Sequence, residues 1–103
     1  MEFIETILFQ KESKKILDDD QLQELQTILL LYPAMGAVIP GSGGLRKLRW
    51  VSVGKGKKGG LRIIYYWVTV DHRIILLHVY KKNRQEDLSS EQLKLLMHLM
   101  QEE

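Results

Sequence analysis

Apolar residues in two parts of the chain recur at the three- and four-residue spacing of amphipathic helices. In residues 18–33 this spacing predicts a helix with N-cap residues at Asp18 to Asp20, a stop at Pro33 and an apolar stripe of Leu22, Leu25, Ile28, Leu29 and Tyr32. In residues 89–103 it predicts a second helix with a capping box of Ser89 and Gln92 and an apolar face of Leu93, Leu96, Met97 and Met100. A shorter helix is expected in residues 7–17, after a candidate first strand at Phe3 and Ile4.

Between these helices the pattern changes to that of strands. Residues 45–53 alternate, whereas residues 61–70 and 73–81 are β-branched or aromatic runs joined by a tight connection at "DHR". We expect three antiparallel strands. The two later ones are apolar on both faces, as central strands covered on both sides would be.

The order of these elements indicates an α+β fold in which a small antiparallel β-sheet packs with two N-terminal helices and one C-terminal helix. The length of 103 residues fits a single domain spanning 1–103, and 45% hydrophobic with 27% charged residues is typical of a globular protein. The chain has no cysteine, so we expect neither disulfides nor thiolate metal sites. It opens with acids instead of a basic region, and no apolar run approaches the roughly 18 residues of a membrane span. A cytoplasmic location is therefore expected.

The net charge is +2, but basic and acidic residues are strongly segregated along the chain. Residues 46–84 contain eleven basic side chains and one acid, Asp71, for a net +10, while the remainder carries −8. Such a basic region favours a polyanionic partner, nucleic acid above all, over the alternative of a merely solvated face.

Several of these cations are expected to meet at one end of the sheet. Arg62 opens an apolar strand, and a hairpin would bring it beside Lys81 and Lys82 at the end of the next strand. Lys47 and Arg49 on the preceding strand would face the same cleft. A cation cluster without an acid is a poor metal site and a good phosphate clamp.

The loop "GKGKKGG" formally matches the glycine pattern of dinucleotide-binding proteins, but a strand follows it and no helix N-terminus is available for a pyrophosphate. We interpret it as a basic hairpin tip in which Lys55, Lys57 and Lys58 approach phosphates; the alternative is a solubilising loop. His72, His78 and His98 lack paired spacing and are expected to be structural. Catalysis by paired acids or by two metals is not expected.

Three segments, "GSGGLRKLRW", "GKGKKGGLRIIYYW" and "ILLHVYKKNRQEDLSSEQ", resemble in order and spacing the RelE/ParE superfamily of bacterial toxins, and most closely its HigB branch. The resemblance covers residues 28–100. It implies a RelE-like fold. It also implies a type II toxin that binds the 70S ribosome, cleaves mRNA in the A site and needs no cofactor. A cognate HigA-type antitoxin would hold it inactive.

The resemblance also implies residue roles. Lys47 and Arg49 match the family's basic pair, Arg62 its central strand arginine, and Lys82 the basic residue that ends the next strand. These four would be catalytic, while RNA or ribosome contacts would come from Arg46, Lys55, Lys57, Lys58, Lys81 and Arg84. Leu88 stands where RelE proper has a tyrosine, and Tyr65, Tyr66 and Tyr80 are alternatives between which the sequence does not choose.

The implied chemistry is metal-independent attack of a ribose 2′-hydroxyl on the adjacent phosphate, with Arg62 and Lys82 neutralising the charge that grows there. Two other functions remain open at this point: a ParE-like toxin that poisons gyrase, and a non-catalytic RNA-binding module.

Overall fold

The computed structural model describes residues 1–51, 60–85 and 87–103. In these ranges the elements follow in the order β1 (Glu2–Glu5), α1 (Ile7–Ile16), α2 (Asp19–Leu31), β2 (Ala37–Val38), β3 (Arg46–Trp50), β4 (Leu61–Val68), β5 (Arg73–Lys81) and α3 (Ser90–Glu102). The predicted α+β class is confirmed. None of the helices in this part of the chain has the length and apolar character needed to cross a bilayer.

The sheet differs from the prediction in size and in strand direction. The described strands form one five-stranded sheet in the order β1-β5-β4-β3-β2. The expected three antiparallel strands are β3, β4 and β5, but β1 pairs with β5 in parallel, so the sheet is mixed. The two-residue β2 was not predicted, because both of its residues are exposed and show no alternation.

Strands β4 and β5 have neighbours on both edges and are covered on both faces, as their sequences predict. On one face α1 and α2 supply Phe9, Leu25 and Leu29 to a core that includes Leu48, Ile63, Tyr65 and Leu76. On the other face α3 packs Leu96 against Leu45, Ile64, Leu77 and Tyr80. The sheet is thus sandwiched between helices, and its two faces belong to different cores.

Both predicted helix starts are confirmed, with a reciprocal capping box at each. The Asp18 carboxylate accepts a hydrogen bond from the backbone N–H of Gln21, and the Ser89 hydroxyl accepts one from the backbone N–H of Gln92. The predicted place of Tyr32 on the apolar stripe is wrong. Tyr32 follows the last turn of α2 in a non-helical conformation and is 62% exposed.

The connection between β4 and β5 is also longer than predicted. Strand β4 ends at Val68, and a turn over residues 69–72 replaces the expected tight connection at "DHR". His72 adopts a left-handed conformation there, with φ 53°. Val70, expected in the strand, is 87% exposed.

Candidate active site

Lys47, Arg49, Arg62 and Lys82 line one open pocket of about 340 Å³, together with Asp87. These are four of the five cations whose convergence the sequence predicts; the fifth, Lys81, does not line the pocket. Strand alternation puts Lys47 and Arg49 on one face of β3, and the antiparallel register places Arg49 opposite Arg62 of β4. Two neighbouring strands therefore present cations on the same face of the sheet.

Lys82 reaches the pocket because the chain turns directly after β5. Its backbone N–H donates to the carbonyl of Gly60 at 3.2 Å, which ties the end of β5 to the residue before β4. Gly60 has φ +63°, and a Cβ there would lie 2.6 Å from the Trp50 carbonyl oxygen. Only glycine fits this close approach, so Gly60 is a fixed part of the sheet end on which the pocket is built.

The prediction of a cluster without an acid is wrong, because Asp87 enters it. The Lys47 ammonium contacts the Asp87 carboxylate at 3.2 Å. The hydrogen bond and the charge of Lys47 lower the pKa of Asp87, and the Leu88 amide and the more distant Arg49 act in the same direction. Asp87 lies outside the basic segment in sequence, which is why charge counting along the chain missed it. The described lining consequently carries four cations and one carboxylate.

The segment that carries Asp87 is fastened to the start of α3. The Gln85 side-chain amide donates to the Asp87 carbonyl at 2.8 Å and also contacts the Gln92 side chain. The side-chain oxygen of Gln92 also accepts a hydrogen bond from the Ser89 backbone N–H at 2.9 Å, as part of the capping box. The helix start therefore sets the position of Asp87 over the pocket.

The structure distinguishes the three tyrosines that the sequence left as alternatives. Tyr65 is fully buried in the α1/α2 core, where its hydroxyl donates to the Pro33 carbonyl at 2.7 Å and accepts the Gly36 amide at 2.9 Å. Tyr66 is half-buried on the α3 side and packs close to Gly44. Tyr80 lies directly opposite Arg62 in the sheet register. Tyr80 is thus the tyrosine placed beside the cations.

His78 is buried, and the structure gives it an acidic partner that sequence spacing did not indicate. Its Nδ1 lies 2.7 Å from a carboxylate oxygen of Glu12 on α1, and the Val79 amide donates to the same carboxylate at 3.1 Å. His98, by contrast, is 71% exposed and pairs with Glu102 on its own helix. In the described ranges no three metal-ligating side chains are grouped closely enough to hold an ion together.

The other predicted RNA contacts are dispersed. Arg46 points to the face of β3 opposite the pocket, where its guanidinium donates to the Ala34 and Gly36 carbonyls and lies 5.9 Å from the Trp67 ring centre. Lys81 and Arg84 are exposed beside the pocket segment but do not line it. Lys55, Lys57 and Lys58 lie outside the described residues. The roles of all six as RNA contacts remain predictions.

No protein-family model matches the chain. Among solved structures, the chain is similar to the free state of an E. coli toxin RelE mutant, with a TM-score of 0.59 and 20% sequence identity. The alignment covers 82% of this chain and 86% of that one. The fold is RelE-like.

The sheet end formed by β3, β4 and the residues after β5 concentrates positive charge, with four cations around one carboxylate. A pocket with this lining can bind a phosphate and stabilise added negative charge on it.

Proposed function

We propose that this chain is the toxin of a type II toxin–antitoxin system and acts as a ribosome-dependent endoribonuclease that cleaves mRNA in the A site. The observation that carries the proposal is the convergence of Lys47, Arg49, Arg62 and Lys82 on one pocket. The RelE-like fold and the resemblance of three sequence segments to the HigB branch support it. We further propose a HigA-type antitoxin with an acidic contact surface as its partner, and the cytoplasm as its location.

In the proposed reaction the RNA supplies its own nucleophile. The ribose 2′-hydroxyl attacks the adjacent phosphate in line, and the phosphorane that forms carries an additional negative charge. Arg62 and Lys82 would neutralise that charge, while Lys47 and Arg49 would hold flanking phosphates. Preorganised cations act more strongly on the transition state than on the bound substrate, and this difference is what accelerates the reaction.

Arg62→Ala is the first test. It should lower single-turnover cleavage of ribosome-bound mRNA by about 100-fold or more even at saturating ribosome, since loss of one such charge-stabilising group costs about that much. Arg73→Ala is the matched control, because Arg73 begins β5 at the sheet end away from the pocket and pairs with Asp71 at 3.2 Å. Cleavage is measured by mapping mRNA 5′ ends after addition of purified protein to a translation reaction.

The same reaction separates the proposal from the two alternatives. Uncleaved mRNA together with gyrase-dependent DNA breaks would support a ParE-like activity, and RNA binding without new mRNA ends would support a non-catalytic module. Full cleavage by soluble Arg62→Ala protein would contradict the role of the pocket.

A further inference from the structure

Exposed apolar side chains are concentrated between the end of α2 and β2. Each member of this group is half exposed or more: Leu30, Leu31, Tyr32, Met35 and Val38. No charged residue occurs from position 25 to position 45, although 27% of the chain is charged. Single exposed apolar residues need no explanation, but a group of them in one place is typical of an interaction site.

Part of this surface is an apolar groove of about 480 Å³, lined by Tyr32, Pro33, Ala34, Met35 and Trp67. Hydrogen bonds fasten the loop that forms most of it. The Tyr65 hydroxyl donates to the Pro33 carbonyl at 2.7 Å and accepts from the Gly36 N–H at 2.9 Å. The Arg46 guanidinium donates to the Ala34 and Gly36 carbonyls. A surface that is fixed before its partner arrives loses little conformational entropy on binding.

Arg46 also places a positive charge beside the apolar groove. Its guanidinium carbon lies 5.9 Å from the centre of the Trp67 ring, which lines the groove. Within the described ranges its polar contacts are the two loop carbonyls, and none of them is a carboxylate. A guanidinium has five N–H donors, so it can also bind a carboxylate that a partner brings. The groove therefore complements an apolar side chain that is flanked by an acid.

Two other occupants fit this surface less well. A two-fold contact with a second copy of the chain would bring two Arg46 side chains toward each other, and residues 25–45 supply no acid to offset them. A partner strand would find little free edge, because β2 is two residues long and Pro40, which has no N–H, follows it closely.

We propose that the apolar groove binds an acidic amphipathic helix of a partner protein, with an apolar side chain in the groove and a carboxylate on Arg46. The inference goes beyond the proposed nuclease function and does not depend on it, because the groove and the cation pocket lie on opposite faces of the sheet. Trp67 packs on the core of α1 and α2, whereas strand alternation turns Lys47 and Arg49 to the other face.

Synthetic helical peptides are the probe. Each is about 15 residues long, near the length at which an isolated helix becomes stable, and has a leucine stripe flanked by glutamates. In NMR spectra of the labelled protein, the amides of residues 30–38 and the Trp67 indole should shift. Met35→Ser should weaken binding about 10-fold or more, because it removes apolar area from the groove lining. Leu95→Ser is the matched control, since Leu95 is similarly exposed but lies on α3, and it should leave the affinity unchanged.

A second peptide, with glutamine in place of each glutamate, tests the role of Arg46. Wild-type protein should bind it about 2- to 5-fold more weakly than the acidic peptide, as expected for loss of an exposed ion pair. The difference between the two peptides should disappear in Arg46→Gln protein. Comparing peptides within each protein removes any effect of Arg46→Gln on the loop itself.

Absence of binding at millimolar peptide, or binding that Met35→Ser and Leu95→Ser weaken equally, overturns the assignment. A dimer of the chain alone that Met35→Ser abolishes would assign the groove to a second copy instead, and single-stranded RNA that shifts the same NMR signals would assign it to nucleic acid. Met35→Ser should cleave mRNA at the wild-type rate, and slower cleavage by the folded variant would contradict the separation of groove and pocket. Failure of wild-type protein to cleave mRNA would refute the proposed nuclease and leave the peptide result unaffected.

Discussion

Asp87 brings a negative charge into the pocket at the point where a phosphate would bind. Its carboxylate lies on Lys47, and its lowered pKa keeps it ionised at neutral pH. A carboxylate with a lowered pKa is a weak base, which makes it a poor acceptor for the 2′-hydroxyl proton. We expect it to act as an internal anion that would compete with a bound phosphate for Lys47. Because the Asp87 side chain is 79% exposed, displacing it costs little.

Asp87→Asn should therefore raise affinity for a single-stranded RNA probe that carries one 2′-deoxyribose at the scissile position, by about 2- to 5-fold, because an exposed ion pair contributes at most about 1 kcal/mol. Asp71→Asn is the matched control, since Asp71 pairs with Arg73 at the same 3.2 Å separation but away from the pocket. Both variants change the net charge by one. Fluorescence anisotropy at fixed salt compares them, and an equal gain for both would mean that only the net charge matters. Weaker binding by Asp87→Asn would contradict the internal-anion interpretation.

At the scale of elements, Thr6 and α1 contact the edge of β5 beyond the point where β1 ends. The pairing of β1 with β5 ends at Glu5 and Leu76. Beyond that pair, the hydroxyl and the backbone N–H of Thr6 both donate to the Leu76 carbonyl. Further along α1, the Glu12 carboxylate accepts a hydrogen bond from the Val79 backbone N–H. The edge of β5 is thus capped by side chains of the first helix, and the same contact holds His78 behind Tyr80.

Glu12→Gln tests this coupling of α1 to β5. The amide can still accept from Val79, but it loses the charge-assisted bond with the largely buried His78, so the free energy of unfolding should fall by about 1–2 kcal/mol. Glu102→Gln is the matched control because it breaks an exposed Glu–His pair on α3, and it should cost less than about 0.5 kcal/mol. Denaturant midpoints provide the measurement. Equal effects of the two substitutions would show that the Glu12 contact is not a structural link.

The elements that the sequence predicts well are those whose local pattern determines them. Helices α2 and α3 combine a capping box with a long apolar stripe, and β4 and β5 are long apolar runs. The parallel pairing of β1 was not predictable, because a four-residue strand finds its partner about 70 residues away. The pocket shows the same division. Strand alternation and the hairpin predicted its cations, whereas Asp87, Tyr80 and the Glu12–His78 contact depend on how loops and helices pack against the sheet.

For the molecule as a whole, the two cores bury tyrosine hydroxyls on opposite faces of the sheet. Tyr65 lies in the core of α1 and α2, and Tyr80 in the core of α3. Burial raises the pKa of each above the usual value of 10.0; for Tyr65 the Gly36 hydrogen bond and Arg46 oppose it. Both faces of the molecule are therefore sensitive to alkaline conditions.

Stability should fall as pH rises above about 10, the value at which these tyrosines ionise in the unfolded chain. There the unfolded state has released protons that the folded state still holds, so each tyrosine contributes a slope of up to about 1.4 kcal/mol per pH unit until its folded pKa is passed. Below pH 10 both states hold the protons and the contribution is constant. Tyr65→Phe and Tyr80→Phe should each reduce the dependence of the unfolding free energy on pH by up to about 1.4 kcal/mol per pH unit, which corresponds to one proton. Urea unfolding between pH 8 and 11 provides the measurement. Tyr32→Phe is the control, because Tyr32 is 62% exposed and its hydroxyl meets water in both states. An alkaline slope unchanged in both core variants would mean that neither hydroxyl is buried as strongly as the two cores indicate.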